Sequence, residues 1–244
     1  MSALLQVTGV GKRFGGFVAL ESIDLEVNQG ERLGLIGPNG SGKSTLVNCI
    51  CGTLQNEQGR VVFAGEGLDG LTAHERTRRG LARSFQLPRP FGSLTLLENV
   101  RIPILYTVNA RSGRHLHGAE IEARCHEMLE QVGLTAKADR LPRDLTQIEM
   151  RKLELARAMA AEPRLLIADE VMAGLSHTEI DEIIALLIRM NEKGVTVIMI
   201  EHIMRAVMEL SQRLAVLVAG RKIADGNPKD VVRDPEVVRA YLGE

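Results

Sequence analysis

Gly37-Pro38-Asn39-Gly40-Ser41-Gly42-Lys43-Ser44-Thr45 is the stretch that decides how this 244-residue chain is read. It fits G-x-x-x-x-G-K-[ST], in which glycines let backbone N–H groups turn toward an anion and the following helix adds the positive end of its dipole. Lys43 then reaches the β- and γ-phosphates of a nucleoside triphosphate, Ser44 offers a hydroxyl to Mg²⁺, and Thr45 adds a donor. The flanks have the required character. Glu31-Arg32-Leu33-Gly34-Leu35-Ile36 reads as a buried strand entering the loop, and Leu46-Val47-Asn48-Cys49-Ile50 as a helix leaving it. A glycine-rich turn with a surface lysine is the alternative that these flanks disfavour.

The chain is 45% hydrophobic, enough for one large domain or a core with a smaller lobe. A net charge of -1, with 3% aromatics and no Trp, gives neither the basic footprint nor the stacking platform expected of a nucleic-acid binder. Cys49, Cys51 and Cys125 form no C-x-x-C pair and fit a reduced compartment, as core residues rather than ligands. The start, M-S-A-L-L-Q-V, lacks the basic and apolar regions of a secretion signal, and apolar runs such as Leu214 to Ala219 are too short to span a membrane. A soluble chain is expected.

From Leu4 to Val27 two alternating runs predict a small antiparallel sheet, with Lys12-Arg13-Phe14-Gly15-Gly16-Phe17 between them. Phe14 reads there either as a turn residue packed on the sheet or as a face for a purine. A short strand over 59–65 and a capped helix over 72–80 follow. After Ser84-Phe85-Gln86, the end of another strand, two prolines and a glycine lead into helical patterns. These cover Leu97 to Tyr106, with a kink at Pro103, then Gly118 to Val132 and Thr146 to Ala160. They read as a helical lobe inserted into an α/β core. His115 and His117, in and after its polar loop, have no acidic or cysteine partners nearby and read as solvated. Arg164 to Glu170, Val195 to Ile200 and Arg213 to Val218 are apolar strands alternating with helices, which argues for a parallel, doubly wound sheet.

In such a sheet ligands sit beyond the carboxyl ends of the strands, so the phosphate loop, Gln86, Asp169-Glu170 and His202 should meet at one edge. Asp169 is placed to hold Mg²⁺ opposite Ser44, with Gln86 sensing water and metal through its amide. Glu170 serves as general base toward water, and His202 bonds the γ-phosphate and positions Glu170. Each has a plain alternative, a helix cap for Asp-Glu and a surface residue for His202, which their joint order disfavours.

With these motifs in place, the whole chain resembles the ATP-binding cassette ATPases. The phosphate loop is at 37–45, the Q-loop at Gln86, L-L-I-A-D-E at 165–170 and the switch histidine at His202. The resemblance implies an α/β P-loop NTPase (RecA-like) core with a small antiparallel β subdomain and an inserted α-helical subdomain. On that reading, 1–86 and 162–244 form the core and 87–161 the helical part of one domain. Phe14 takes the position of the adenine-stacking aromatic, and ATP with Mg²⁺ are the implied ligands. K-R-F-G-G-F-V-A-L, L-T-L-L-E-N-V and R-A-Y-L-G-E are similar to the ATPase subunits of branched-chain amino acid importers. The implied partners are a second cassette, integral membrane permease subunits and a solute-binding protein, on the cytoplasmic face of the cell membrane. Rival readings are an exporter ATPase, such as one for lipopolysaccharide, a soluble ATPase acting on DNA or ribosomes, and a regulatory subunit with little turnover.

Two stretches depart from the family pattern. The signature L-S-G-G-Q falls on Leu145-Thr146-Gln147-Ile148-Glu149, and Val171 and Ser176 replace a usual proline and aspartate. Gln147 and Ile148 restrict the backbone, so the loop should adopt another shape or work less well, and Glu149 suits a helix N-terminus but should repel a nearby triphosphate. A heterodimer with a regular cassette and a homodimer using the variant loop both remain open.

Overall fold

The protein is described by a computed structural model covering residues 3–242 apart from 85–87, 112 and 114. Two long alternating strands, β1 (Ala3–Phe14) and β2 (Phe17–Asn28), form a hairpin that closes at two glycines with Phe14 opposite Phe17. β3 (Arg32–Ile36) leads through the phosphate loop into α1 (Lys43–Cys51). β4 (Gln58–Phe63), the short β5 (Glu66–Gly67), α2 (Ala73–Arg78) and β6 (Leu81–Ser84) follow. Three mutually packed helices come next: α3 (Leu96–Pro103), α4 (Gly118–Gln131) and α5 (Gln147–Ala160). The chain then alternates through β7 (Leu165–Asp169), α6 (His177–Glu192), β8 (Thr196–Ile200), α7 (Met204–Leu210) and β9 (Arg213–Val218). It finishes with β10 (Arg221–Gly226), α8 (Pro228–Val231) and α9 (Pro235–Leu242).

These strands make two sheets. An antiparallel one runs β2-β1-β4-β5, and a six-stranded one runs β10-β9-β3-β8-β7-β6, parallel throughout except for the β10–β9 pair. β7 and β8 are buried along their whole length, which is why they read as unbroken apolar runs. Leu165, Ile167, Ile198 and Ile200 face α1 and the antiparallel sheet, whereas Leu166, Ala168 and Met199 face the helices from α3 to α6. Each Leu or Ile buried in this way contributes about 1.5–3 kcal/mol. Cys49, Cys51 and Cys125 lie inside these cores as free thiols, and burial pushes Cys51 up to about 12.

Local chemistry sets the helix starts. Thr72, Thr95, Thr146 and Ser176 each cap a helix whose third residue is Glu, in a reciprocal box that satisfies free N–H groups at the first turn. The expected helix from Leu97 to Tyr106 is instead α3 ending at Pro103, followed by a π-helical turn over Ile104–Val108. Proline supplies no N–H to the ladder, and the turn after it widens, with the Asn109 N–H reaching back to the Ile104 carbonyl at 3.0 Å.

Candidate functional site

The carboxyl ends of β3, β7 and β8 deliver the phosphate loop, Asp169-Glu170 and Glu201-His202 to one edge of the parallel sheet. At the loop's entry a Cβ on Gly37 would stand 2.0 Å from the Leu217 carbonyl oxygen, so only glycine fits against β9. At its exit Gly42 has φ 104 and caps α1 without a side-chain bond; a Cβ there would meet the Ala19 carbonyl at 2.7 Å. The first turn of α1 has no acidic residue, which leaves its dipole directed at the loop. The β9–β10 turn braces the loop from outside, with the Gly220 N–H donating to the Ser41 carbonyl at 3.0 Å.

Lys43 is curled into this cradle. Its ammonium donates to the Gly37 carbonyl at 2.7 Å, the Pro38 carbonyl at 3.0 Å and Ser41 Oγ at 3.4 Å. Burial pushes Lys43 below the ordinary lysine range, while Glu170 and Asp169 pull it back up, so both carboxylates act electrostatically on the loop's cation. A pocket of ≈ 240 Å³ opens over the loop, lined by residues 39–45, with Glu170 and His202 on one wall and Phe14, Phe17 and Ala19 on another.

Glu170 adopts φ 49, a left-handed backbone that costs a non-glycine residue free energy, and its N–H is held by the Ile200 carbonyl at 2.9 Å. This turn separates it from Asp169 and brings its Oε1 to 3.0 Å from His202 Nε2. A neutral imidazole with its proton on Nε2 donates to that carboxylate and holds it oriented. Asp169 is turned the other way, and its Oδ2 accepts from Arg83 Nη2 at 2.6 Å. Gln86 lies outside the described residues.

Ser44 and Asp169 supply one hydroxyl and one carboxylate, and among the described residues no cluster of three or more His, Cys, Asp or Glu could enclose a metal. That donor set fits Mg²⁺, which keeps several waters and takes phosphate oxygens rather than a protein cage.

Several neighbours of the site carried no recognisable motif. Glu201, 2% exposed, accepts the Met172 N–H at 2.9 Å and fixes the chain just after Glu170; burial raises its pKa above the carboxylate range. Phe17, paired with Phe14, lines the same pocket; the two are 63% and 51% exposed, and Lys12 Nζ stands 5.6 Å from the centroid of the Phe14 ring. On α9 burial raises the pKa of the Tyr241 hydroxyl, and the Gly37 backbone of the loop partly offsets that rise.

The variant stretch 145–149 is a helix start. Thr146 is extended at φ -70 and caps α5, and none of the five residues has positive φ. Gln147 Nε2 donates to the Ala173 carbonyl at 3.2 Å, tying α5 to the loop after Glu170. Glu149 accepts the Thr146 N–H at 2.9 Å and pairs with Lys137 at 2.7 Å; the lysine bond is the main cause of its lowered pKa. Its charge is therefore partly neutralised within the chain, which weakens the repulsion expected from sequence.

Comparison with known proteins agrees with this fold. The ABC transporter family model matches residues 20–173, and that of the branched-chain amino acid ATP-binding cassette transporter matches residues 221–244. The high-affinity branched-chain amino acid transport ATP-binding protein BraF of Pseudomonas aeruginosa is 37% identical over 251 residues, covering 99% of this chain and 98% of BraF. Among solved structures, the ADP conformation of MJ1267, an ATP-binding cassette of an ABC transporter, superimposes with a TM-score of 0.88 at 32% identity over 100% of both chains. The dimeric structure of MJ0796, a bacterial ABC transporter cassette, does so at 0.81 with 27% identity, over 92% of this chain and 98% of that one. With the family model matched over residues 20–173 and BraF 37% identical across 99% of this chain, the chain belongs to the ABC transporter family, as one of its ATP-hydrolysing cassettes.

Proposed function

We propose that this chain is the energy-coupling subunit of an importer for branched-chain or related amino acids, working on the inner face of the cell membrane. The observation that carries the catalytic part is the Glu170–His202 pair on the wall of the phosphate-loop pocket. Lys43, Thr45 and the glycine-bordered backbone hold the triphosphate, and Phe14, with Phe17 beside it, stacks on the base. Glu170 accepts a proton from the attacking water and His202 keeps it aimed at that water. Ser44 and Asp169, with Gln86, hold Mg²⁺, which supplies charge neutralisation on the phosphates.

The substrate reading rests on the family match over the last 24 residues and on BraF. Those matches favour an importer over a lipopolysaccharide exporter or a soluble ATPase, and the near-neutral charge argues against a nucleic-acid partner. No helix among the described residues is long and apolar enough to cross a membrane, and integral membrane permease subunits are the partners of this reading. A cleft of ≈ 330 Å³ between β6, α2, α3 and α5 suits their docking: Phe91 and Tyr106 on its rim are 43% and 67% exposed. Residues 87–161 serve as the helical subdomain that moves with the permease, against a core made of 1–86 and 162–244. The remaining partners are a second cassette, as in the dimeric relative, and a solute-binding protein.

The test is reconstitution with the permeases and the binding protein in lipid vesicles. ATP hydrolysis should rise when the binding protein carries leucine, isoleucine or valine. Hydrolysis that responds to none of them would remove the substrate assignment and leave the ATPase assignment standing.

A further inference from the structure

β6 has only four residues, Leu81-Ala82-Arg83-Ser84, and forms the outer strand of the parallel sheet beside β7. The register sets Arg83 opposite Ile167 and Ser84 opposite Ala168. Successive side chains alternate between faces, so Arg83 shares the α1 side of the sheet with Ile167 and with Asp169 two residues further along. Leu81, Leu165 and Ile167 pack there against Val47 and Ile50 of α1. A guanidinium is a costly occupant of such a face unless its charge is matched.

Asp169 matches that charge, and Asn48 of α1 accepts a hydrogen bond from the other arm of the guanidinium. Arg83 Nη1 donates to Asn48 Oδ1 at 2.6 Å, and Nη2 donates to Asp169 Oδ2 at 2.6 Å, with Arg83 14% and Asp169 8% exposed. Asn48 lies on α1 one turn beyond Ser44 and so on the same face of that helix. Arg83 therefore spans from the phosphate-loop helix to the carboxylate at the end of β7. The other nearby cation, Lys43, directs its donors to the loop's own carbonyls and Ser41. Asp169 thus has a positive partner of the chain's own.

We propose that Arg83 is a positioning residue that acts as a built-in counter-cation on Asp169 and sets how strongly nucleotide binding depends on Mg²⁺. Two effects act in the same direction. Without Mg²⁺, the guanidinium screens nucleotide phosphates from the negative charge of Asp169. With Mg²⁺ present, the same guanidinium weakens the pull of Asp169 on the divalent ion. Arg83 therefore narrows the gap between metal-free and metal-assisted binding. Because it stands three residues before Gln86, it also joins the strand leading to the helices directly to Asp169.

The inference rests on the nucleotide reading of the pocket. The probe is ADP, which avoids turnover, titrated calorimetrically into the purified chain in EDTA and in saturating Mg²⁺. The quantity read is the ratio of the two dissociation constants. Arg83→Met should widen that ratio by about tenfold, the scale of one charge acting on a close neighbour. Arg83→Lys, which keeps the charge but cannot fork to both partners, should widen it less. In an Asp169→Asn background Arg83→Met should leave the ratio unchanged, which closes a double-mutant cycle. Should Arg83→Met fail to fold, the lysine variant decides by the same sign. A ratio unchanged in folded Arg83 variants that still bind ADP, or an equal widening without Asp169, would overturn the proposal. Failure of the unmodified chain to bind ADP under either condition would overturn the nucleotide reading itself.

Discussion

The groups we assign to this chain's own nucleotide stand at the ends of buried strands: Lys43 after β3, Asp169 and Glu170 at β7, His202 after β8. The stretches at 145–149 and 171–176, where the chain departs from the family pattern, lead into α5 and α6, and Thr146 and Ser176 cap those helices. The two regions meet at Ala173, whose carbonyl accepts from Gln147 and Arg151 of α5, while Glu201 holds Met172 from the other side. The contrast teaches that a strand end in a packed sheet tolerates little change without loss of the site. A helix start, in contrast, can exchange residues freely so long as a cap remains.

The largest effect that separates the two regions should come from Glu170→Gln. An amide cannot accept the proton, so turnover should fall about 10²- to 10⁴-fold while ATP binding persists. Steady-state hydrolysis and equilibrium binding measured on the same sample check both halves of that statement. Lys43→Ala should act on binding itself, weakening ATP by about 2–5 kcal/mol through loss of a buried charged donor. Unchanged affinity in a fluorescence titration would mean that the cradle does not hold phosphates.

Phe14→Ala should cost about 1–3 kcal/mol of affinity, equally for ATP and GTP because a ring face reads no hydrogen-bond pattern. Since Phe17 lines the same pocket, the double variant should lose more than either single one, and a silent Phe14→Ala would move the stacking role to Phe17. Across the divide, Thr146→Ala should leave ATP affinity unaltered and lower thermal stability by about 0.5–2 kcal/mol through the lost cap. The smallest expected effect belongs to Glu201. Burial raises its native pKa above the unfolded value, so the folded chain binds more protons and stability falls as pH rises from the ordinary carboxylate pKa to the raised one. Glu201→Gln, which still accepts the Met172 N–H, should remove that slope from pH-dependent melting curves.

Much of this arrangement was legible in the residues. Unbroken apolar runs fixed β3, β7, β8 and β9 because strands buried on both faces have no polar side to alternate, and the strand–loop–helix around Lys43 announced its chemistry by glycine spacing. β10 escaped notice because R-K-I-A-D-G is a half-exposed edge strand whose pattern resembles a loop. Arg83 was hidden for another reason: its meaning lies in a parallel register with a strand more than eighty residues away, which no local period reveals. The positive φ of Glu170 was equally silent, since acidic residues at strand ends are common and only tertiary contact forces the left-handed turn. At 145–149 the sequence showed that glycine freedom was missing but not that Lys137, twelve residues before Glu149, would take up its charge.

The central proposal is that this chain carries a competent nucleotide pocket and, in the variant signature at 145–149, a weakened face toward a second cassette. It is tested most directly by self-association in ATP. Glu170→Gln alone and Glu170→Gln combined with Gln147→Gly, Ile148→Gly and Glu149→Gln should be compared by light scattering across protein concentration, with ATP affinity and thermal stability measured alongside. The account predicts equal ATP affinity for the two proteins and dimerisation of the restored-signature protein at lower concentration. Equally tight ATP-dependent dimers from both, with the signature left as it is, would contradict it.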